Sequence, residues 1–514
     1  MKPSAVRLSV ISSVISLIGA SQTVFAMSDA ELDAQLEIFK THTKTFMNTL
    51  PPKRDLNGNE VKTPPLFSKK SILSRDFVTQ KDAVRNKRFD LLAGTKAEMQ
   101  EKDIVLNLID DPNLLINTLE RMETLRLKGK KMAESPWSDT YWPIYAGQTA
   151  NRYADEVPDS EKWEENYKNF KDSPPELIVK KAEASSMDNL SPAEKYDLLV
   201  GDSTWGLTKS QWAAGEEYVK NSPEHKVETW MGLCHGWSPA AISLPRPNQA
   251  IDLVAADGKT KIKFYPSDIK ALTTLLWAEA QYPTQYMGGR CNEKEPKQDE
   301  NGRILSEECF DTNPGSWHQL IVNQIGQFKR SFVVDVTYDY EVWNQPVYGY
   351  RYKYFNPETG KAVKTLAEAT VKMSNFKSDK FKKYRSPKAT KVVGIDMTMG
   401  YVVETQPTHA LKNSAEDDVI RTADYMYDLE IDAAGKIIGG EWYQNAHPDF
   451  AWAPEKGASA QSAADPYLTA VWNGKTPVPA SYAKYAKKVS PAGQPLGKVV
   501  NTLITLSHLV PTGQ

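Results

Sequence analysis

The sequence predicts an α+β fold in which a helical N-terminal region and a β-rich C-terminal region flank a core built around one cysteine. Between residues 28 and 132, apolar residues recur at three- and four-residue spacing, which indicates helices. After residue 309 the period changes to two, for example in Phe332–Thr337, which indicates strands. We place the N-terminal region at 27–133, the core at 134–350 and the C-terminal region at 351–514.

Individual elements can also be predicted. Ser191, followed by Pro192 and Glu194, has the pattern of a capping box at a helix start. Further helices are predicted to begin at Asp111 and Pro266. Strands are predicted at Leu320–Val322, Phe332–Val336, Val342–Trp343, Lys391–Glu404, Met426–Asp432 and Ile437–Tyr443, with the last two forming a hairpin.

The first 26 residues have the order of a secretory signal. Lys2 and Arg7 precede the apolar run Leu8–Gly19, and a small-residue cleavage site follows at Val24–Ala26. The run is shorter than the ~20 apolar residues that a membrane-spanning helix needs. We therefore expect the mature chain to begin near Met27 and to be secreted, or periplasmic in a bacterium with two membranes.

Composition limits the possible partners and cofactors. A net charge of −2 over 514 residues produces no strong field, so we expect neither nucleic acid nor a membrane as partner. With 13 Trp, 23 Tyr and 15 Phe, the chain is typical of a folded protein rather than a disordered one. No phosphate loop, dinucleotide fingerprint or EF-hand loop is present in the sequence, and we predict no cofactor and no metal site.

The sequence has three cysteines. Because a disulfide pairs two of them, an exported chain with three has at least one cysteine outside an internal disulfide. Cys291 and Cys309 flank a polar loop, and a disulfide between them would stabilise the fold by roughly 3 kcal/mol. Cys234 is then the remaining thiol. It is either a buried structural residue, as free cysteines often are, or a reactive one.

The neighbours of Cys234 favour a reactive thiol. Gly232 and Gly236 stand on either side, and a helix is predicted to begin here with Pro239 in its first turn. The free N–H groups and the dipole at a helix start lower the pKa of a thiol and can bind an oxyanion. We therefore predict that Cys234 is a nucleophile.

A cysteine nucleophile needs a base that titrates near neutral pH, and a histidine base needs an orienting group. His235 is a poor partner because adjacent side chains on a helix diverge. His318, expected at the start of a strand, is the predicted base, although a structural role is the alternative. Asp335 lies among apolar strand residues, where a carboxylate is costly unless paired, and we predict that it orients His318. Asp339 is the second choice.

The order Cys, His, Asp resembles that of papain-like enzymes and of transglutaminases, whose aspartate strand is similar to Val333–Thr337. Val342–Tyr350 (VWNQPVYGY) closely resembles the signature peptide of the transglutaminase elicitor family, with six consecutive residues in agreement. The resemblance also covers the aromatic stretch Trp137–Tyr153 and the C-terminal segment Gly440–Asn445. It implies a papain-like, or transglutaminase-like, catalytic core.

The resemblance further implies a secreted, calcium-independent transglutaminase, with an N-terminal region that can be processed. In the implied reaction the Cys234 thiolate attacks a glutamine carboxamide, His318 protonates the departing ammonia, and a lysine or polyamine resolves the thioester. The partners would be proteins with accessible glutamines, together with amine acceptors. The residues alone leave open a papain-like endopeptidase, a glutamine deamidase, or a surface-binding protein in which Cys234 is structural.

Overall fold

The structure, a computed structural model, describes residues 27–61, 103–155, 159–222, 225–289, 293, 296–306, 309–310, 312–336 and 342–508. The signal predicted at 1–26, Cys291 and Asp339 lie outside these residues. The signal and the pairing of Cys291 with Cys309 therefore stay predictions. In the described ranges, no helix is long and apolar enough to cross a membrane.

Helices are frequent between residues 159 and 279 and return at the end of the chain. The helices are α1 (Asp29–Thr41), α2 (Thr43–Met47), α3 (Leu119–Thr124), α4 (Trp163–Asp172), α5 (Pro175–Lys181), α6 (Ala184–Asp188), α7 (Pro192–Val200), α8 (Gly206–Asn221), α9 (Cys234–Ser243), α10 (Pro266–Glu279), α11 (Pro314–Ile321), α12 (Leu366–Ala369), α13 (Ala480–Val489) and α14 (Gly497–His508). Ser191 and Glu194 form the predicted capping box at the start of α7. The helix predicted from Pro266 is confirmed as α10.

One large antiparallel sheet forms the centre of the described structure, so the predicted mixture of helix and sheet is confirmed. The strands are β1 (Lys53–Arg54), β2 (Gly129–Lys131), β3 (Ile251–Val254), β4 (Lys261–Phe264), β5 (Thr284–Gly288), β6 (Val333–Asp335), β7 (Asn344–Asn356), β8 (Lys361–Val363), β9 (Thr370–Lys372), β10 (Lys391–Val403), β11 (Val419–Ile431), β12 (Ile437–Trp442) and β13 (Phe450–Pro454). The main path of the sheet runs β1-β11-β10-β7-β6-β13-β5. β12 adds to β11, β2 and β8 add to β7, and β9 adds to β10, whereas β3 and β4 form a separate hairpin.

Different parts of the chain cover the two faces of this sheet. On one face, Ile395 and Met397 of β10 belong to the same apolar cluster as Trp317 and Leu320 of α11. On the other face, Met426 of β11 packs with apolar residues of α1 and α2. Because both faces are covered, the central strand β10 is buried along almost its whole length.

A second, mainly helical, layer carries Cys234. Its cluster includes Trp237 of α9, Leu272 and Leu276 of α10, and Trp137. Helix α9 packs against α10 and also against β7 of the sheet. The start of α9 therefore lies where the helical layer meets the central strands.

One predicted strand is wrong, and a local helix-start signal explains the error. Leu320–Val322 lies in α11 and in the π-helical turn Val322–Phe328 that follows it. The side chain of Asn313 accepts a hydrogen bond from the N–H of Gly315, and Pro314 occupies the first turn. This cap outweighs the β preference of the apolar residues that follow.

Two predicted helix starts are shifted. At Asp111 the chain forms only a short 3-10 turn, and α3 begins later, after its cap Thr118. Helix α9 begins at Cys234, so Pro239 lies inside the helix and not in its first turn.

In the C-terminal region, the strand predicted at Lys391–Glu404 is confirmed as β10, and the predicted hairpin is confirmed as β11 and β12. Asn344 begins β7, directly after the predicted strand Val342–Trp343. The region is β-rich as far as Pro454, but it ends in helices α13 and α14, which the sequence analysis does not predict.

Candidate active site

Cys234 is the first residue of α9 and is 6 % exposed. The chain approaches its neighbours closely on both sides of this residue. A Cβ at Gly236 would lie 2.2 Å from the carbonyl oxygen of Thr274 in α10, and a Cβ at Gly232 would lie 2.3 Å from the carbonyl oxygen of Tyr141. The two flanking glycines therefore permit contacts that a larger residue would block.

The side chain of Asn344, at the start of β7, faces the thiol. Its Nδ2 lies 3.6 Å from the Sγ of Cys234, and its Oδ1 accepts a hydrogen bond of 2.8 Å from the Nε1 of Trp452. Trp452 thus fixes the amide with its N–H groups toward the sulphur. The Ser238 hydroxyl of the same helix donates to the Asn344 carbonyl, and the thiol itself can donate to the Val342 carbonyl at 3.8 Å.

Two carboxyl groups flank this thiol and amide. Asp335 on β6 pairs with Asn344 across the sheet, and Glu404 directly follows β10, on the other side of β7. The Nε2 of Gln345 donates a hydrogen bond of 2.6 Å to the Oε1 of Glu404. The charges of Glu404 and Asp335 both act on Cys234. The sulphur therefore contacts the neutral amide of Asn344, and a carboxyl group lies on either side of β7 at this point.

Burial dominates the electrostatics of the site. It raises the pKa of the Cys234 thiol to about 11, against hydrogen bonds from Asn344 that lower it, and the charges of Glu404 and Asp335 raise it further. The lowered thiol pKa expected from the helix start is therefore wrong, because desolvation disfavours the thiolate more strongly. Burial also raises the pKa of Glu404 to about 7. At neutral pH the thiol is protonated and the nearby glutamic acid titrates.

His318 lies in α11, not on a strand, and is completely buried. Its Nδ1 lies 2.8 Å from the Tyr427 hydroxyl, and its ring packs edge-on against Tyr352 at 4.8 Å between centroids. Burial lowers the pKa of His318 to about 3, so the imidazole is neutral in ordinary buffers. Asp335 is therefore next to Asn344, the residue whose amide contacts Cys234, whereas His318 contacts Tyr427 and Tyr352 in the core.

Aromatic side chains form another wall of the site. The ring of Tyr141 packs on that of Trp343 with 5.2 Å between centroids, and its hydroxyl donates to the Thr229 carbonyl at 2.7 Å. Burial raises the pKa of Tyr141, and Tyr145, Glu404 and Cys234 raise it further. Tyr141 belongs to the aromatic stretch that the sequence analysis singles out without assigning it a role.

Three residues of the site, Asn344, Glu404 and Tyr141, are not among the predicted catalytic residues. The sequence contains a signal for two of them. Asn344 is a polar residue inside the signature-like peptide, and Glu404 follows a long apolar strand. Among the described residues, no three His, Cys, Asp or Glu side chains are grouped as metal ligands would be.

The family model described as transglutaminase elicitor matches residues 115–468, a range that includes Cys234, Asp335, Asn344 and Glu404. The chain belongs to the transglutaminase elicitor family. The family assignment made from the signature-like peptide is thus confirmed. The chain is also similar to the crystal structure of the GP42 transglutaminase from Phytophthora sojae, with 22% identity, a TM-score of 0.45, and coverage of 74% of this chain and 94% of that chain. No curated protein matches the chain significantly.

Proposed function

We propose that this protein is a protein-glutamine γ-glutamyltransferase in which Cys234 is the nucleophile. The observation that supports this most is the position of Cys234. In a member of the transglutaminase elicitor family, the thiol stands at the first residue of a helix with the amide of Asn344 directed at its sulphur. A merely structural cysteine would not need this polar neighbour.

In the proposed reaction, the sulphur attacks the carboxamide carbon of a glutamine side chain, and the C–N bond breaks to release ammonia. The amine of a lysine or a polyamine then attacks the thioester and restores the thiol. Backbone N–H groups at the start of α9 are suited to stabilise the oxyanion of each tetrahedral intermediate. The N–H groups of Asn344 are suited to stabilise the sulphur when it carries negative charge.

The sequence-based roles of Asp335 and His318 have different support. Asp335 lies across the sheet from Asn344, and its charge acts on the Cys234 thiol. The contact of His318 with Tyr427 does not support a role at the thiol. Its assignment as general base stays a prediction from the order of residues along the chain.

We also propose that the protein is exported, that its catalytic core is papain-like and that its activity is calcium-independent. The resemblance to secreted family members and the signal-like first 26 residues support export. Residues 27–54 are predicted to stay with the folded protein rather than to leave as a pro-segment. Met27 is completely buried, and Arg54 forms an ion pair of 2.8 Å with Asp424 of β11.

Incorporation of a labelled primary amine into a glutamine-rich protein tests the proposed function. The wild type and Cys234→Ala are compared, each with added calcium and with EDTA. We expect equal labelling by the wild type in both conditions and none by the variant. Ammonia release without labelling would indicate a deamidase, and peptide cleavage an endopeptidase. Loss of labelling in EDTA would contradict calcium independence alone.

A further inference from the structure

The proposed reaction needs a group that takes the thiol proton and later returns it, because neither the attack by sulphur nor the departure of ammonia is easy without proton transfer. A buried thiol with a pKa of about 11 does not ionise by itself near neutral pH. Two carboxyl groups border the amide that contacts the thiol: Asp335 pairs with Asn344 across the sheet, and Glu404 accepts a hydrogen bond from the adjacent residue Gln345. These two acids are therefore the candidates for the proton carrier.

The sheet register places Glu404 at the level of the thiol's amide neighbour. The pairing of β10 with β7 ends at Tyr401 and Val347. Glu404 lies three residues beyond Tyr401, just past the end of β10, and Asn344 lies three residues before Val347, at the start of β7. Continuing the antiparallel register beyond this last pair brings both residues to the same level of the sheet. The hydrogen bond of 2.6 Å between Gln345 and Glu404 connects the two strand ends there.

Glu404 is better placed than Asp335 to exchange protons. Asp335 is 1 % exposed, and its Oδ1 accepts a hydrogen bond of 3.1 Å from the N–H of Trp343, so it ties β6 to the chain entering β7. Glu404 follows the end of β10 and is only half-buried. A proton carrier must reach both the leaving nitrogen and the incoming amine, and a half-buried position allows this.

We propose that Glu404 is the proton carrier of the Cys234 site, an inference that rests on the proposed acyl transfer. As the sulphur attacks, the Glu404 carboxylate takes the proton of the Cys234 thiol. It gives this proton to the amide nitrogen as the C–N bond breaks and ammonia leaves. In the second half of the reaction, when the amine attacks the thioester, Glu404 takes a proton from the amine. It gives this proton to the sulphur of Cys234 as the C–S bond breaks.

The groups around Glu404 set the pH range of this cycle. Burial raises the pKa of Glu404 to about 7, while the hydrogen bond from Gln345 and the charge of Lys53 on β1 lower it. Cys234 and Tyr141 face it as neutral groups at this pH, since burial raises the pKa of each. The active, ionised form of Glu404 therefore accumulates as the pH rises through about 7. Asp335 borders the same thiol from β6.

The test measures kcat and KM for amine incorporation from pH 5 to 9 in Glu404→Gln, Glu404→Asp and His318→Asn. We expect Glu404→Gln to lower kcat by roughly 100-fold or more, with KM changed little, and to abolish the rise in activity near pH 7. Glu404→Asp keeps a carboxyl group, so part of kcat and the rise with pH should remain. Glutamine retains the acceptor for Gln345, and thermal unfolding checks that each variant is folded.

The inference is overturned if folded Glu404→Gln keeps kcat within threefold of the wild type and keeps the rise near pH 7. If folded His318→Asn loses the rise in activity near pH 7 and Glu404→Gln keeps it, His318 is the proton carrier instead. Failure of the proposed function is a separate result, recognised by a wild type that incorporates no amine. If that wild type still releases ammonia or cleaves peptide through Cys234, the same comparison on that reaction decides the role of Glu404. A wild type without any of these reactions overturns both proposals.

Discussion

The side-chain nitrogen of Asn344 lies 3.6 Å from the sulphur of Cys234, and Trp452 holds that amide in place through a hydrogen bond to its oxygen. Asn344→Asp is nearly isosteric but removes both N–H donors and puts a third carboxyl group beside the thiol. We expect kcat for amine incorporation to fall by about 100-fold or more, as when an oxyanion-hole donor is removed.

Kinetics of the folded variant at the pH optimum of the wild type check this prediction. Asn344→Ala serves as a comparison, because it removes the donors without adding charge. It also leaves the Trp452 N–H without its acceptor, which costs about 1–3 kcal/mol of stability. Activity of Asn344→Asp within threefold of the wild type would show that the amide has no part in the reaction.

Gly236 controls how closely the helix of Cys234 approaches α10. An alanine Cβ there would lie 2.2 Å from the Thr274 carbonyl oxygen and 2.7 Å from the side chain of Ala278. Because the obstacle is backbone, Gly236→Ala must displace one helix, and we expect a loss of about 1–3 kcal/mol in the free energy of unfolding. Activity should fall too, because the displaced helix carries the nucleophile.

Denaturant unfolding and amine incorporation together test the Gly236 prediction. Ser243→Ala, at the exposed end of the same helix, is the matched control and should change neither quantity. A Gly236→Ala protein as stable and as active as this control would mean that the two helices can separate without consequence for the thiol.

The position of Cys234 could be predicted because its signal is local. A glycine on each side and a helix start within a few residues are visible in the sequence, and the structure shows both. The capping box at Ser191 and the hairpin of β11 and β12 are local in the same sense. Each depends on residues that are neighbours along the chain.

The surroundings of Cys234 could not be predicted because they depend on sheet order. Gln345 and Glu404 form a hydrogen bond only because β10 pairs beside β7, with the chain between them passing through β8 and β9. His318 has the right place in the order of residues, but its helix packs on a different part of the core. The raised pKa of the thiol cannot be predicted for the same reason, since burial is a property of the packed structure.

Lys195 and Asp268 form an ion pair of 2.7 Å in which both side chains are completely buried. Asp268 also accepts the backbone N–H of Tyr265 and so caps α10, the helix against which the Cys234 helix packs. Lys195→Met leaves the buried Asp268 carboxylate without its cationic partner, and we expect a loss of about 3–5 kcal/mol in the free energy of unfolding. Chemical denaturation measures this loss.

The exposed pair of Lys162 and Glu165 provides the control for Lys195→Met. Lys162→Met should leave the unfolding midpoint unchanged, because solvent screens an exposed ion pair. Equal losses of unfolding free energy in the two variants would mean that burial does not increase the contribution of the Lys195–Asp268 pair to stability.

Asp396 makes stability depend on pH. Both of its carboxyl oxygens are buried and have no hydrogen-bond partner among the described residues. Burial, and then the charge of Asp424, raise the pKa of Asp396 well above its ordinary range. The folded protein therefore keeps Asp396 protonated, whereas the unfolded chain ionises it near pH 3.9. Its stabilising contribution is complete below that pH and is lost as the pH rises toward the raised, folded-state pKa.

Asp396→Asn removes this titration from the folded and unfolded states alike. We expect the free energy of unfolding of the variant to fall less steeply than that of the wild type between about pH 4 and 8, as measured by urea denaturation at fixed ionic strength. Asp172→Asn, at the exposed end of α4, is the control and should keep the wild-type slope. Parallel slopes for Asp396→Asn and the wild type would show that Asp396 is ionised in the folded protein, and that its negative charge is balanced within the sheet.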